Sequence, residues 1–142
     1  MPAKDKVFFD ANILVYQFDM SVPVKQRRAV DLVERSILEK RAFISSQVVQ
    51  EFMNVALSKF AVKLSAKELE QVMSVLLKPL CAHVPNFDFY QRTLKLFVSH
   101  SLGFYDALII QAAMDLECKM LYSEDLQDGQ RFGALTIKNP FA

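Results

Sequence analysis

An apolar run ends on an aspartate in the segment Val7-Phe8-Phe9-Asp10-Ala11-Asn12. Three consecutive apolar residues, two of them aromatic, predict a short strand that is buried on both faces of a sheet. Asp10 then stands at the carboxyl end of this strand, and in open α/β sheets ligands bind in the crevice beyond that end. An aspartate in this position is often only a helix cap, so Asp10 alone does not identify a site.

Similar apolar segments recur along the chain and alternate with helical patterns. Further strands are predicted at residues 42–45, 81–84, 120–122 and 135–137, and helices at residues 23–40, 46–59, 65–79, 89–100 and 105–117. Alternating strands and helices predict a mainly parallel sheet with helices on both faces, an α/β fold of three layers. Residues 1–142 are close to the commonest size of one domain, and we expect a single domain.

Local signals predict where two of these helices begin. Ser21 is a candidate cap for the helix at residues 23–40, and Ser65 and Glu68 match a capping box, in which each side chain bonds the other residue's backbone. The first of these helices is expected to bury an apolar face formed by Val30, Val33, Ile37 and Leu38.

Four more carboxylates stand where an apolar segment ends or a helix begins: Glu51, Asp106, Asp125 and Asp128. Glu51 lies beside the apolar stripe of its helix, where a carboxylate without a partner is costly unless it tips out to water. The helix dipole alone would justify Asp106 in a first turn, and Asp128 could cap a short helix. Together with Asp10, the four predict a divalent-metal site, because clustered like charges need compensation and Mg²⁺ and Mn²⁺ prefer oxygen ligands.

A polar loop follows the strand at residues 120–122. It contains Ser123-Glu124-Asp125-Leu126-Gln127-Asp128-Gly129, in which Gly129 permits a tight backbone turn. Asp125 is expected to point into the same crevice as Asp10, whereas Glu124 is expected to face solvent.

The bulk composition excludes several classes of protein. A hydrophobic fraction of 52% excludes a disordered or collagen-like chain. The net charge is +1, so the rest of the chain carries +6 once the five acids are set aside, which suits a polyanionic partner. Cys81 and Cys118 form no zinc motif with the two separated histidines, and we expect both to be buried free thiols. No secretory or membrane segment is recognisable, which predicts a cytoplasmic protein.

Four blocks of sequence carry a more specific signal. They are Phe8-Phe9-Asp10-Ala11-Asn12-Ile13-Leu14, Ile44-Ser45-Ser46-Gln47-Val48-Val49-Gln50-Glu51-Phe52, Gly103-Phe104-Tyr105-Asp106-Ala107-Leu108-Ile109, and Leu121-Tyr122 continuing into the polar loop through Gly129. In this order, and nearly end to end, the chain resembles a PIN domain, most closely the single-domain VapC-type toxin ribonucleases. The resemblance implies a three-layer PIN-like fold over the whole chain.

The resemblance also implies a site and an activity. It makes catalytic metal ligands of Asp10, Glu51, Asp106 and Asp125, with Asp128 a less certain ligand, and it assigns the support of these acids to Asn12, Ser46 and Ser123. One or two Mg²⁺ or Mn²⁺ ions would be bound. The implied activity is an endoribonuclease that cleaves single-stranded RNA or exposed RNA loops with a metal-activated water.

Two protein partners are expected. The resemblance implies an antitoxin, and we expect one of its arginines to enter the acidic cleft in place of metal, since a guanidinium pairs well with carboxylates. A homodimer is expected because the chain has more aromatic residues than one small core needs, among them Phe18, Phe60, Phe89, Phe97 and Phe104.

Other uses of strand-end aspartates fit the chain less well. A phospho-accepting receiver domain needs an acidic pair after its first strand, and a haloacid-dehalogenase-like phosphatase needs Asp-x-Asp, where this chain has Asn12. The remaining alternative is a PIN-like module that binds RNA or a protein with little or no catalysis, because a fold does not fix a function.

Overall fold

The computed structural model describes residues 5–58 and 64–142, and its centre is a six-stranded sheet. The strands are β1 (Val7–Phe9), β2 (Ala42–Ser45), β3 (Cys81–His83), β4 (Met120–Tyr122), β5 (Arg131–Phe132) and β6 (Leu135–Lys138). Their order across the sheet is β3-β2-β1-β4-β6-β5. All neighbouring strands pair in parallel except β5, which runs antiparallel to β6 at one edge. The predicted α/β fold with a mainly parallel sheet is confirmed.

Seven α-helical segments connect the strands in the described part of the chain. They are α1 (Ala11–Tyr16), α2 (Pro23–Leu38), α3 (Ser46–Ser58), α4 (Ala66–Val72), α5 (Lys78–Leu80), α6 (Phe87–Ser99) and α7 (Phe104–Asp115). A π-helical turn, Met73–Leu77, joins α4 to α5 just before Pro79, which has no N–H to donate to a regular helix. The predicted capping box at Ser65 and Glu68 is present, with both of its hydrogen bonds formed.

The position of β1 in the sheet fixes where a ligand can bind. The chain runs from β1 to β2 on one side and then crosses back to place β4 on the other side of β1. Such a reversal of strand order opens a crevice beyond the carboxyl ends of the two strands. Val7, Phe8 and Phe9 are at most 1% exposed, so β1 is covered on both faces and anchors the crevice rigidly.

The buried face of α2 differs from the predicted one. Ala29, Val33 and Ser36 are buried, whereas Ile37 and Leu38 are 39% and 82% exposed. The prediction considered only the spacing of apolar residues. The Ser36 hydroxyl donates to the Leu32 carbonyl at 2.8 Å, so this polar residue can face the core.

The predicted cap of α2 was also wrong. Val22 is the cap residue and its side chain makes no capping bond, while the Ser21 hydroxyl donates to Asp19 at 2.5 Å.

Smaller differences concern the ends of the elements. β3, α6 and α7 begin or end one or two residues away from the predicted bounds, and β5 was not predicted because two residues carry no periodic signal. The predicted end of the helix at residue 59 lies outside the described residues, as does Phe60. Cys118 is buried and Cys81 is half-buried, both as free thiols. In the described ranges, no helix on its own is long and apolar enough to cross a membrane, and only α6 and α7 together, bent by 119°, reach that length and composition.

Candidate functional site

Asp10 is the most buried carboxylate of the predicted site. It caps α1, with Oδ1 accepting the Ala11 backbone N–H at 2.8 Å and Oδ2 accepting the Ser123 hydroxyl at 2.8 Å. Burial raises the pKa of Asp10 from 3.8 to about 6, and the nearby Glu51 and Asp125 carboxylates add to the rise, while the two hydrogen bonds oppose it. Its ionised form is therefore held in place but poorly compensated.

The loop after β4 brings a second carboxylate to Asp10. Ser123 is fully buried, and its hydroxyl oxygen also accepts the backbone N–H groups of Asp125 and Leu126 at 3.2 and 3.3 Å. Asn12 donates its side-chain amide to Asp125 Oδ2 at 2.9 Å. The structure therefore places Asn12 and Ser123 beside the two acids that they were predicted to support, with Asp125 fixed by residues from both strand ends.

Glu51 reaches the crevice from α3, and a glutamine that the sequence interpretation missed holds it there. Gln47, one helical turn earlier, donates its side-chain amide to Glu51 Oε1 at 2.8 Å and to the Tyr105 carbonyl at 3.2 Å. The four-residue spacing on one helix face was the available signal. Gln47 thus links α3 to the start of α7, where Asp106 lies.

Asp106 stands in the first turn of α7 and is exposed. Partial burial and, secondarily, the Asp125 carboxylate raise its pKa above the usual value. Gly103, the cap residue of α7, leaves room for this side chain, because a Cβ at that position would lie 3.3 Å from Asp106 Oδ2. The helix start is therefore shaped so that the carboxylate can sit over the cap.

Expectations from the sequence also concerned three other residues, Asp128, Ser46 and Glu124. Asp128 is exposed and accepts the Asn139 backbone N–H at 2.7 Å, which ties the loop to the chain after β6. Ser46 lines a separate cavity next to α3. The expectation that Glu124 faces solvent was wrong: its carboxylate accepts the Tyr16 hydroxyl and pairs with Lys25. Burial raises the pKa of Glu124, but the bonds to Lys25 and Tyr16 outweigh it, so that the pKa lies below the usual value.

Three of the five predicted acids, Asp10, Glu51 and Asp125, line an open cleft of about 450 Å³ at the carboxyl edge of the sheet, whereas Asp106 and Asp128 are not among its walls. Its walls include Asp10, Asn12, Glu51, Asp125 and, from α1, Tyr16. In the described parts of the chain, no three His, Cys, Asp or Glu side chains are close enough together to form a metal site as they stand. The donor chemistry nevertheless fits a hard divalent cation, because every acid offers oxygen and, among the described residues, no cationic side chain contributes to the pKa of buried Asp10.

Comparisons with solved structures agree with this fold. The chain is similar to a toxin–antitoxin complex from Klebsiella pneumoniae, with a TM-score of 0.66, 19% identity and coverage of 95% of this chain and 98% of that chain. It is also similar to FitAB bound to an IR36 DNA fragment, with a TM-score of 0.64, 19% identity and 96% coverage of both chains. A third similar structure is Mycobacterium tuberculosis VapC20, titled a Sarcin-Ricin loop cleaving toxin, with a TM-score of 0.60, 14% identity and coverage of 84% and 92%.

The sequence comparisons match the chain to a family model but not to an individual curated protein. No curated protein sequence matches the chain at a significant level. The family model of the PIN domain matches residues 7–128, from the first strand to the last predicted acid. That match covers most of the chain and contains the whole acidic cleft, so the protein belongs to the PIN domain family.

Proposed function

We propose that the protein is an endoribonuclease that uses bound Mg²⁺ or Mn²⁺ to hydrolyse RNA phosphodiester bonds, and that it is the toxin of a VapBC-type pair. PIN domains are typically nucleases that use divalent metal ions. The observation that carries the proposal is the environment of Asp10. A carboxylate buried at the carboxyl end of the central strand, with two other carboxylates raising its pKa, is costly to ionise without a cation.

The chain's own residues have distinct parts in the proposed reaction. Asp10, Glu51, Asp106 and Asp125 would hold one or two ions, with Asp128 a less certain ligand. The chemistry supplied by a bound ion would be activation of a water for attack on phosphorus and stabilisation of the leaving oxygen. Ser123 and Asn12 hold Asp10 and Asp125 in orientation, as hydrogen-bonding partners of ligands commonly do.

Gln47 has the same supporting part for Glu51, whose Oε1 it binds. Ser46, to which the family resemblance assigns the support of the acids, lines the neighbouring cavity. Neither histidine is among the residues that line the acidic cleft: His83 faces Asp115 at 3.6 Å, and His100 bonds the Leu96 carbonyl. A water is therefore the proposed nucleophile.

A basic groove near the cleft supports a polyanionic substrate. The groove has a volume of about 510 Å³, and its walls carry Arg27, Arg28, Arg35 and Lys138 with a single acid, Asp31. Tyr122, the last residue of β4, lines it as well, so it lies at the same end of the sheet as Asp125. Cations on this side can hold the phosphates of an RNA strand that crosses the acids.

The cognate partner and the assembly are also proposals. Two of the similar structures are described as a toxin–antitoxin complex and as a Sarcin-Ricin loop cleaving toxin, which supports an RNA substrate and an antitoxin partner. We further propose that the protein works in the cytoplasm and that an arginine of the antitoxin enters the acidic cleft, because a guanidinium pairs well with carboxylates. Of the aromatic residues that motivated a homodimer, Phe89 is buried and Phe18 packs on the core. Exposed apolar surface that a dimer could use includes Leu94, Phe97 and Val98 of α6, which are 57%, 38% and 75% exposed, and Phe104 of α7, which is 47% exposed.

The test is an RNA cleavage assay with purified protein, in Mg²⁺, in Mn²⁺ and in excess EDTA. Cleavage should require a divalent ion and should be abolished by Asp10→Asn. Glu70→Gln removes the same charge from an exposed position of α4, outside the cleft and the basic groove, and should leave the rate unchanged. Undiminished cleavage in EDTA would overturn the mechanism. The absence of a preassembled metal cluster among the described residues is the observation that favours a binding module instead. Metal-independent RNA binding without cleavage in any ion would support that alternative.

A further inference from the structure

A second cavity, of about 180 Å³, lies beside the acidic cleft and is separated from it by Gln47. It is enclosed by the start of α3, the end of β3, α6 and the start of α7, and its walls include Ser46, Gln50, Tyr90 and Tyr105. Gln47 lines this cavity while its amide binds Glu51 Oε1 at 2.8 Å and the Tyr105 carbonyl at 3.2 Å. Tyr105 immediately precedes Asp106 in the chain. A group that entered the cavity would therefore lie next to the amide that binds Glu51 and next to the start of the helix that carries Asp106.

The walls of the cavity are aromatic and uncharged. Tyr105 is 70% exposed and Tyr90 is 44% exposed, whereas Phe89 beneath them is 4% exposed. Of the described residues that line the cavity, only His83 is titratable near neutral pH, and burial lowers its pKa. The ring of His83 packs edge-on against Phe89, with centroids 4.4 Å apart. An uncharged, flat ligand fits such walls better than a phosphate does.

The rim supplies hydrogen-bonding groups to that flat ligand. Ser46 offers a hydroxyl, and Gln47 and Gln50 offer amides that can both donate and accept. Aromatic faces combined with a few amide and hydroxyl groups are the means by which proteins bind unpaired bases, which stack on the ring and pair along their edges. Two exposed tyrosines beside a catalytic cleft are otherwise unexplained by the fold.

We propose that this cavity binds the unpaired base next to the scissile phosphate, so that Tyr105 stacks on the base and Gln50 and Ser46 contact its edge. The proposal deepens the proposed nuclease function and rests on it. It makes Tyr105 and Gln50 determinants of substrate choice, and it gives Gln47 a double part, because the amide that holds Glu51 also forms a wall of the base site.

The experiment measures binding of short homopolymeric RNA oligomers of A, C, G and U in EDTA by fluorescence anisotropy, beside an abasic ribose-phosphate oligomer of equal length. The wild type should bind at least one homopolymer more tightly than the abasic oligomer. Tyr105→Ala should weaken that homopolymer about 5- to 150-fold, the range expected for one lost stacking contact, with no effect on the abasic oligomer. Tyr105→Phe should bind like the wild type, and Gln50→Ala should change the ranking of the four bases.

Phe87→Ala is the matched control, because Phe87 is an aromatic residue of α6 that is 85% exposed and lies outside the cavity walls. The proposal is overturned if Tyr105→Ala binds every homopolymer as the wild type does, or if the wild type binds the abasic oligomer equally well. Metal-dependent cleavage is assayed on the same proteins. If the proposed nuclease function is wrong, the wild type does not cleave RNA, whatever the binding of the homopolymers shows, so the two failures are distinguishable.

Discussion

Replacing Asp10 with asparagine should stabilise the metal-free protein at neutral pH. Burial is the main reason that the pKa of Asp10 rises from 3.8 to about 6. A shift of that size corresponds to roughly 3 kcal/mol, at 1.36 kcal/mol per pKa unit. Because the folded state binds the proton more tightly, stability is highest below the unfolded pKa and falls as pH rises through the window from about 4 to 6, so at pH 7.5 the full penalty applies.

The amide recovers most but not all of that energy. Its oxygen can accept the Ala11 N–H as Oδ1 does, but its NH₂ group would face the Ser123 hydroxyl oxygen, which already accepts the N–H groups of Asp125 and Leu126. Losing the bond that Ser123 donates to Asp10 costs about 1 kcal/mol. The expected net gain is about 2 kcal/mol, or a rise in Tm of roughly 4–8 °C.

The assay is urea denaturation in EDTA at pH 7.5 and at pH 4, with Asp31→Asn, an exposed position of α2, as the control. The stabilisation by Asp10→Asn should vanish at pH 4, where the wild-type carboxyl is protonated, while the control should move little at either pH. Mg²⁺ or Mn²⁺ should raise the Tm of the wild type and raise that of Asp10→Asn less. A variant that is no more stable than the wild type at pH 7.5 would show that the burial of Asp10 is not costly and would refute the reasoning.

Three further experiments test the rest of the site. Gly103→Ala should displace the Asp106 carboxylate by a few tenths of an ångström and lower the cleavage rate about tenfold. The free energy of unfolding, measured by denaturation, should fall by less than about 1 kcal/mol. An unchanged cleavage rate would mean that Asp106 tolerates the shift. The double variant Arg27→Ala and Arg35→Ala should bind RNA with a weaker salt dependence: the slope of the log binding constant against log salt concentration should fall by about 1.4. Lys67→Ala on α4 is the control and should not change this slope. Equal slopes for the double variant and the wild type would exclude the groove as an RNA site. Asp128→Asn should retain much more activity than Glu51→Gln, since its oxygen serves the Asn139 backbone; equal inactivity would make Asp128 a ligand.

The sequence predicted those parts of the site that depend on strand ends. An apolar run that stops at Asp10 already places the carboxylate at the edge of a parallel sheet, and the loop after residue 122 must end at the same edge if β4 is parallel to β1. Strand direction, which periodicity and the alternation of elements supply, was enough to place Asp10 and Asp125. The supporting parts of Ser123 and Asn12 came from the resemblance to PIN domains, and in the structure both residues bond the acids.

Contacts between distant segments were beyond that reasoning. Glu124 was expected in solvent, but Tyr16 and Lys25, about 100 positions earlier in the chain, bind its carboxylate, and nothing in a local pattern reports such a pairing. The face of α2 was mispredicted for a different, local reason: Ser36 donates its hydroxyl to the Leu32 carbonyl of its own helix, so a polar residue can be buried there. The contacts of Gln47 were predictable only in part. Its four-residue spacing from Glu51 can be read from the sequence, but its bond to the Tyr105 carbonyl depends on the packing of α3 against α7.

The cost of burying Asp10 bears on whether the protein is a nuclease or a binding module. Roughly 3 kcal/mol is a large share of the 5–15 kcal/mol by which a domain of this kind is stable. A module that only binds RNA has no use for that cost, since an asparagine at the same position would cap α1, keep its oxygen toward Ala11 and repel phosphates less. A hydrolase does have a use for it, because an ionised carboxylate with its charge unmet by the protein is what attracts and holds a divalent ion. The strain at Asp10 and the proposed metal-dependent cleavage therefore have one physical origin.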